Sequence, residues 1–420
     1  TDDPDTGPWE GWSFEPSLHD HSLFFDDDGR VYMLYSVGDL RLVELEEDLS
    51  GVKPDGFNEV VIEDAHSVVG EPVGLRAEGS QLRKIDGMYY LLNITWPVDG
   101  VRTVIVHRAE QITGPWEGRM VLQDQGVAQG SLIDTPDGDW YAWLFKDHGS
   151  VGRIPYLVPV TWEDGWPVLG ADGRVPPTLD LPAEGRESWG VSGIVASDEF
   201  ERGPGDPALP LAWQWNHNPD PDHWSLLDDP GRLRLTTGRV DTGLLDTRNT
   251  LTQRTFGPVS SATTAIDVGA MRDGDYAGLA LLQRRYGFVG VKMEDGEKSI
   301  VMVSNEPEAG GIVGEPVEVE AVPITVDRVY LKADADFRGL ADFQGTFDVT
   351  AELRDTGWFY YSLDGEGWTR IGDPLNMVYS LPHFMGYRFG LFNFATREAG
   401  GHVDFDYYRV SDAARTLPSG

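Results

Sequence analysis

The stretch Ser22-Leu-Phe-Phe-Asp-Asp-Asp-Gly29-Arg-Val-Tyr32 decides the fold, because two similar stretches follow it along the chain. The second copy spans residues 80–90 and the third spans residues 131–141. Each has an Asp-Gly pair between two runs of apolar and aromatic residues, and the glycine of such a pair accepts the positive φ of a tight hairpin turn. Each copy therefore predicts a strand, a turn and a second strand.

The spacing of these hairpins predicts the blades of a β-propeller. Ser22, Ser80 and Ser131 lie 58 and 51 residues apart, close to the roughly 40 to 50 residues of one blade. A second repeat, Thr-Gly-Pro-Trp-Glu-Gly at residues 6–11 and 113–118, marks the loops between blades. Propellers need about four to eight blades to close. We therefore expect an incomplete propeller whose first one to two blades are missing or come from another chain.

Changes in composition and in the pattern of apolar residues divide the sequence into three parts. Residues 1–185 hold the hairpin repeats and predict the partial propeller. Residues from about Asp180 to Ala196 are rich in glycine, proline and charge, which predicts a linker at residues 186–197. Residues 198–420 contain many short alternating strands without helical periodicity, which predicts a β-sandwich. The expected class is all-β, an incomplete propeller followed by a β-sandwich.

The strong negative charge excludes several kinds of partner. The chain has 33 basic and 70 acidic residues, a formal charge of −37, so it would repel nucleic acid and anionic membranes. Lysine is scarce, which favours adaptation to high salt over the Lys/Glu enrichment of hyperthermophiles; an ordinary acidic protein is the alternative. With no cysteine, disulfides and thiolate catalysis are excluded.

The compartment stays open from sequence. No run of eighteen apolar residues occurs, and the first residues are acidic, so neither a membrane span nor a signal peptide is predicted. The cytoplasm is slightly favoured over secretion.

Three polar residues occupy matching positions before the hairpins. Asp20, Glu78 and Gln129 each stand two residues before the repeated serine. In a propeller the first strand of each blade lines the central channel, so these side chains should meet at one mouth of it. Paired carboxyl groups are the machinery of glycosidases. The alternative is that Asp20 and Glu78 only cap strand ends or bind backbone N–H groups.

Four segments carry a family resemblance: residues 19–29, residues 77–80 with 84–87, residues 134–140 and residues 147–153. Together they resemble glycoside hydrolase family 43, the five-bladed β-xylosidases and α-L-arabinofuranosidases, over nearly the whole chain. The resemblance implies an inverting, exo-acting enzyme on xylan- or arabinan-derived oligosaccharides. The second domain, most clearly in residues 400–406, resembles the lectin-like (jelly-roll) sandwich that accompanies this family.

The resemblance also implies roles for single residues. Glu78 is the general acid, and Asp20 raises the pKa of that acid and orients it. Arg153 holds substrate hydroxyls or the neighbouring carboxylate. Gln129 stands where many relatives carry a histidine near an axial ion or water, so neither a metal in the propeller nor an organic cofactor is expected.

Family members use a further aspartate, near the start of the first blade, as the general base. No residue of this sequence matches it, so we expect the chain alone to be inactive or weak. A second chain that supplies the missing blades, or a homo-oligomer, is an expected partner. The rival function is a non-catalytic glycan-binding protein with a degenerate propeller, which the missing base favours and the retained Asp20, Glu78 and Arg153 oppose.

Three further residues are candidates for contact with the sugar. His148 could reach substrate or water, or form a turn with satisfied hydrogen bonds. Trp96 could form an apolar wall for a sugar ring or pack in the core. Phe384 falls where the resemblance places a sandwich loop over the active site, and it would narrow the pocket; a buried position at a strand edge is the alternative.

Acidic residues at both ends of the sandwich suggest a cation site. Asp198 and Asp406, with Glu199 and Asp404, could join the first and last strands through calcium, which prefers hard oxygen ligands. Solvated carboxylates are the alternative in so acidic a chain.

The charge leads to a first prediction, on stability against salt. In dilute buffer the acidic surface repels itself, whereas at molar salt the Debye length falls to about 3 Å. We expect the chain to unfold in dilute buffer and its Tm to rise steadily toward molar salt, measured by circular dichroism. A Tm that stays constant over this range would show that the protein is merely acidic.

Overall fold

The fold is known from a computed structural model. It describes residues 3, 7–11, 13–181, 194–203, 208–305, 314–339, 355–378 and 385–412. Two compact units are present: Thr1–Lys146 with Ile154–Leu181, and Asp147–Arg153 with Pro182–Gly420. The predicted linker at 186–197 falls largely outside the described residues, and Phe384 lies outside them as well.

The first unit consists of three four-stranded antiparallel sheets whose strands follow one another in chain order. Sheet 1 contains β1 (Ser22–Phe25), β2 (Val31–Tyr35), β3 (Leu40–Leu45) and β4 (Asn58–Ile62). Sheet 2 contains β5 (Val73–Ile85), β6 (Met88–Pro97), β7 (Thr103–Ala109) and β8 (Glu117–Leu122). Sheet 3 contains β9 (Ala128–Asp134), β10 (Trp140–Asp147), β11 (Arg153–Glu163) and β12 (Trp166–Leu169).

The three predicted hairpins are confirmed. They are β1–β2, β5–β6 and β9–β10, paired in antiparallel register. Their turn glycines Gly29, Gly87 and Gly138 have φ of 83°, 82° and 90°. This is the left-handed region that glycine enters without a Cβ clash, so the Asp-Gly pairs do set the turns.

Neighbouring sheets pack face to face, as propeller blades do. The first strands adjoin, with β1 against β5 and β5 against β9. Between sheets 1 and 2 lies a buried cluster that includes Tyr32, Leu34, Leu91 and Ile105. A second cluster, which includes Val106 and Leu144, joins sheets 2 and 3. Each fully buried aliphatic side chain contributes about 1.5 to 3 kcal/mol.

The hairpin motif also supplies a polar link between sheets 1 and 2. Asp26 accepts hydrogen bonds from Lys84 Nζ at 2.9 Å and from the Tyr89 hydroxyl at 2.7 Å. Burial alone would raise the pKa of Asp26, but these hydrogen bonds outweigh it and the pKa is lowered. The carboxylate therefore stays charged and joins the turn of one blade to the hairpin of the next.

The second unit is a sandwich of two seven-stranded sheets. In spatial order, sheet 4 contains β13 (Gln214–Trp215), β16 (Leu251–Arg254), β25 (Arg388–Ala395), β18 (Asp275–Leu282), β19 (Gly287–Glu294), β20 (Glu297–Ser304) and β21 (Val317–Ile324). Sheet 5 contains β14 (Trp224–Ser225), β15 (Leu233–Thr236), β26 (His402–Ser411), β17 (Val259–Asp267), β22 (Arg328–Asp336), β23 (Asp355–Ser362) and β24 (Thr369–Met377).

Alternation along the strands forms the sandwich core. Phe389 and Leu391 of β25 meet Phe405 of β26 in one large cluster between the sheets, with Tyr408 beside them. The described residues outside strands include four short 3₁₀ helices, Ala65–Val69, Gly149–Val151, Pro221–His223 and Leu244–Asp246. The predicted all-β class, propeller blades followed by a sandwich, is confirmed. Over the described ranges, no helix has the length and apolar character needed to span a bilayer.

A buried histidine in sheet 2 gives a second prediction. His107 on β7 is 4% exposed, and burial lowers its pKa from 6.5 to about 4. The folded state thus binds fewer protons than the unfolded state between these values. The free energy of unfolding should therefore fall as pH drops from about 6.5 toward 4, by up to roughly 1.4 kcal/mol per pH unit from this group.

Urea unfolding at a series of pH values measures this effect. Carboxylates add their own pH dependence, so the informative quantity is the difference between wild type and His107→Gln. This difference should grow toward neutral pH and shrink toward pH 4. His21→Gln is the matched control, because His21 is exposed. A constant difference for His107→Gln would contradict the assignment.

Candidate active site

Irregular backbone surrounds Asp20, Glu78 and Gln129, which lie before β1, within β5 and at the second residue of β9. Asp20 and Gln129 have left-handed φ of 48° and 54°, and Gly79 has φ of 63°. Glu78 pairs with Ile94 between two register shifts of the β5–β6 ladder. Such bulges re-aim side chains and are common beside active sites. In each hairpin, a backbone irregularity at or next to the site residue thus precedes the regularly paired part of the strands.

The structure brings Asp20 and Glu78 together. A carboxylate oxygen of each, together with a ring nitrogen of His19, all lie within 4.8 Å of one another. His19 Nε2 is 3.7 Å from Asp20 Oδ2, with the two side chains 70% and 30% exposed. Glu78 is half-buried. The cluster is therefore open to solvent yet partly shielded, as a site that admits a ligand must be.

Gln129 lies beside this pair. A Cβ placed on Gly79 would fall 2.2 Å from Gln129 Nε2 and 2.8 Å from its amide carbon. The amide thus lies directly over the backbone of the residue after Glu78. Only glycine leaves room for this contact, so all three matching positions of the hairpin repeat meet at one place in the first unit.

Buried hydrogen bonds hold these strands in position. The Ser22 hydroxyl accepts from Leu82 N at 2.9 Å and so links β1 to β5. Asn93 Nδ2 donates to the Glu78 carbonyl at 3.2 Å and to Ser80 Oγ at 3.0 Å. Two of the three repeated serines therefore have a structural role: Ser22 connects β1 to β5, and Ser80 connects β5 to Asn93 of β6.

Two members of the site were missed from sequence. His19 is part of the carboxylate cluster, and Asn93 holds the backbone of Glu78. Asn93 is 1% exposed and stands alone as a polar amide within the apolar run Tyr89-Tyr-Leu-Leu-Asn-Ile94. A lone amide in such a run signals a buried hydrogen-bonding role, and that signal was available.

Trp96 belongs to the first unit as a half-buried residue of β6. Its indole nitrogen donates to Gly100 O at 3.1 Å. The guanidinium carbon of Arg102 lies 5.4 Å from the centre of one ring face. That face is therefore already covered by a cation, so a sugar stacking there would have to displace Arg102.

Arg153 and His148 lie in the connection that runs from the last residue of β10, Asp147, to the first residue of β11, Arg153. By its contacts this connection, the Arg153 loop, groups with the second unit. Arg153 Nε donates to Asp147 Oδ1 at 3.1 Å. His148 is half-buried and precedes the 3₁₀ turn Gly149–Val151, without a side-chain cap bond. Backbone hydrogen bonds to Gly152 and Val151 make this segment the turn that the sequence allowed for His148.

The sandwich fixes this loop firmly. Ser150 donates from its hydroxyl and its N–H to Asp355 Oδ2, at 2.6 and 3.0 Å. Tyr387 N donates to Ser150 O at 2.9 Å. A Cβ on Gly386 would lie 1.8 Å from Val151 O, so the backbone segments at Gly386 and Val151 are in direct contact.

The residues predicted to bind calcium have arginine partners instead. Asp198 accepts from Arg202 at 2.6 and 2.9 Å, and Asp404 accepts from both forks of Arg234 at 2.7 and 2.9 Å. The other two pairs are Glu199 with Arg409 and Asp406 with Arg328. Each of these carboxylates already pairs with an arginine, so the four side chains as arranged do not fit a calcium ion. Calcium at this place remains a prediction from the sequence.

Two families of known proteins match the chain. The family described as "Glycosyl hydrolases family 43" matches residues 1–167. The family described as "Beta xylosidase C-terminal Concanavalin A-like domain" matches residues 197–411. The two matches coincide with the blade-bearing part and the sandwich.

Curated relatives point the same way. A "Beta-xylosidase" of Formosa agariphila is 27% identical over 80% of this chain and 59% of its own length. A relative from Xylanibacter ruminicola is 32% identical over 65% of this chain and 51% of its own length. The chain thus spans about half to three-fifths of the length of these relatives.

Solved structures agree. A bifunctional GH43-CE protein of Bacteroides eggerthii is 55% identical, with a TM-score of 0.85 over 99% of this chain and 51% of that one. A GH43 glycoside hydrolase engineered to display both endo-xylanase and exo-arabinofuranosidase activity is 31% identical, with a TM-score of 0.79 over 94% of this chain and 74% of that one. Because both units match and the sandwich family alone spans half of the sequence, the chain belongs to glycoside hydrolase family 43.

Proposed function

We propose that this chain carries the acid half of the catalytic centre of an inverting, exo-acting β-xylosidase or α-L-arabinofuranosidase. One observation carries the proposal: Asp20 and Glu78, 58 residues apart in sequence, present carboxylate oxygens within 4.8 Å of each other. The names of the relatives support the substrate class, which is an oligosaccharide derived from xylan or arabinan.

In this proposal Glu78 protonates the leaving oxygen. Asp20 places a second carboxyl group beside this acid, with oxygens of the two side chains within 4.8 Å of each other. Glu78 gives its proton to the glycosidic oxygen as the bond from the anomeric carbon breaks. Asp20 provides the negative charge that keeps the proton available, and Gln129 lies within reach of the same pair. Arg153 serves to hold substrate hydroxyls.

Asp20 is too close to Glu78 to be the general base of an inverting reaction. Acid and base must stand about 6.5 to 9.5 Å apart, with a water attacking from the far side of the sugar. The base therefore has to come from elsewhere in the ring. We propose that it comes with further blades that complete the propeller, and that this chain alone has little activity.

Exposed apolar residues on sheets 1 and 3 support this completion. Leu23 and Phe25 on β1 are 42% and 62% exposed, and Trp143 on β10 is 52% exposed. Leu23 and Phe25 pair with Met33 and Val31, so they lie on one face of sheet 1. Faces of this kind are buried in a closed propeller, where each sheet packs on the next.

A non-catalytic glycan-binding protein is the second candidate. What favours it is that no residue of this sequence matches the general base of the family. What opposes it is the placement of Glu78 opposite a second carboxylate. High-salt adaptation, proposed on the charge of −37, applies to either function.

A third prediction separates the two candidates. We expect the chain joined to the remaining blades to hydrolyse an aryl xyloside or aryl arabinofuranoside at molar salt, with inverted configuration at the released sugar by NMR. The chain alone should be slower by about 100- to 10,000-fold, the usual contribution of a general base. Added EDTA should leave the rate unchanged. If neither form releases product while oligosaccharide still binds, the glycan-binding alternative holds; a retained configuration would contradict inversion.

A fourth prediction tests Glu78. In the joined protein, Glu78→Gln should lower kcat/KM by about 100- to 10,000-fold on an oligosaccharide, whose sugar leaving group needs a proton. On a dinitrophenyl glycoside the loss should be far smaller, because that leaving group departs as an anion. Glu59→Gln, on the exposed part of β4, is the matched control and should match wild type. An equal loss on both substrates would show that Glu78 is not the acid.

A further inference from the structure

Three arginines lie at one end of sheet 4, two of them as direct neighbours. Arg254 ends β16 and Arg388 begins β25, and the two are direct cross-strand partners. Leu282, the last residue of β18, is the partner of Arg388 on its other side. Arg284 follows Leu282 by two residues. We call Arg254, Arg284 and Arg388 the arginine patch.

The arginine patch lacks the acidic partners found elsewhere in the sandwich. In the described part of the chain, none of its three guanidinium groups pairs with a carboxylate. Arg388 donates only to Thr252 Oγ1, at 3.2 Å. Burial and then the charge of Arg254 lower the pKa of Arg388. By contrast Arg234 and Arg409 on sheet 5 each hold a carboxylate through two nitrogens.

This arrangement costs stability in the free protein. Like charges directly opposite each other on neighbouring strands are destabilising, and Arg388 is half-buried as well. The chain has 70 acidic residues against 33 basic ones, so carboxylates are abundant on its surface. Neighbouring guanidinium groups with no carboxylate partner among the described residues are suited to bind an anionic group of a ligand.

The arginine patch adjoins the loop that carries Arg153. Tyr387, next to Arg388, donates its N–H to Ser150 O in that loop. Thr255, next to Arg254, donates its hydroxyl to Tyr387 O at 2.7 Å. Gln283, next to Arg284, donates to Met385 O at 3.4 Å. The patch and the Arg153 loop are therefore fixed to the same end of the sandwich.

We propose that the arginine patch binds the carboxylate of a uronic-acid side group on the oligosaccharide, so that acidic, substituted oligosaccharides are preferred over neutral ones. The proposal rests on the proposed function, because it places a sugar at the Arg153 loop. A planar guanidinium holds a carboxylate through two parallel hydrogen bonds. Arg254 and Arg284 are exposed, so a ligand can reach them.

Binding is measured by calorimetry on the full chain, at the lowest salt at which it stays folded. The probes are a xylo-oligosaccharide with one glucuronic acid side group, the same oligosaccharide without it, free glucuronate and acetate. The acidic oligosaccharide should bind about tenfold or more tightly than the neutral one, the worth of one charged hydrogen bond. Arg254→Gln combined with Arg388→Gln should remove this advantage and leave the neutral ligand unchanged.

Two controls keep the test decisive. Arg409→Gln removes an arginine that already has a carboxylate partner, and it should leave the preference intact. In the absence of ligand, Arg388→Gln should raise the Tm, because a repulsion is gone, while glucuronate should raise the Tm of wild type only. These readouts do not require hydrolysis, so they succeed or fail independently of the catalytic proposal.

Three results would overturn the inference. The first is equal affinity for the acidic and neutral oligosaccharides. The second is a double variant that weakens both ligands alike. The third is acetate that binds as tightly as glucuronate, which would make the arginine patch a site for small anions and not for an acidic sugar.

Discussion

Packing of β1 against β5 sets the distance between Asp20 and Glu78, and the chemistry of the site depends on that distance. The apolar cluster between sheets 1 and 2 holds the strands together, while the bond from Leu82 N to Ser22 Oγ fixes their offset. Asp26, Lys84 and Tyr89 join the same two hairpins at the turn end. These contacts between strands keep carboxylate oxygens of Asp20 and Glu78 within 4.8 Å of each other.

In the sandwich, charged side chains pair with groups of opposite charge. Most of its buried carboxylates are neutralised within the chain, as Asp198 is by Arg202 and Asp404 is by Arg234. A buried pair of this kind needs both partners, because removal of one leaves an uncompensated charge. The arginine patch departs from this pattern at the end of the sandwich that holds the Arg153 loop. Among the described residues its guanidinium groups have no carboxylate partner, which is why we propose that it binds a carboxylate of the ligand.

Much of the fold was readable from sequence, and the reasons are local. The Asp-Gly turns at Gly29, Gly87 and Gly138 require positive φ, and the alternation of apolar residues around them defines two strands each. Matching positions in three hairpins then placed Asp20, Glu78 and Gln129 side by side. Calcium at the sandwich carboxylates stays a prediction, because alternation shows only that Asp404 and Asp406 share a strand. It does not show that Arg234 and Arg328 stand across from them.

The sequence by itself determined the hairpins, the all-β class, the family and the equivalence of the three site positions, since turns and alternation act over a few residues. Only the tertiary structure decided what surrounds them. Asn93 supports Glu78 from another strand, Ser150 is held by Asp355 from 205 residues away, and Arg254 faces Arg388 across a sheet. These contacts join residues far apart in the chain, and no local pattern encodes which distant side chain will neutralise a charge or leave it open to a ligand.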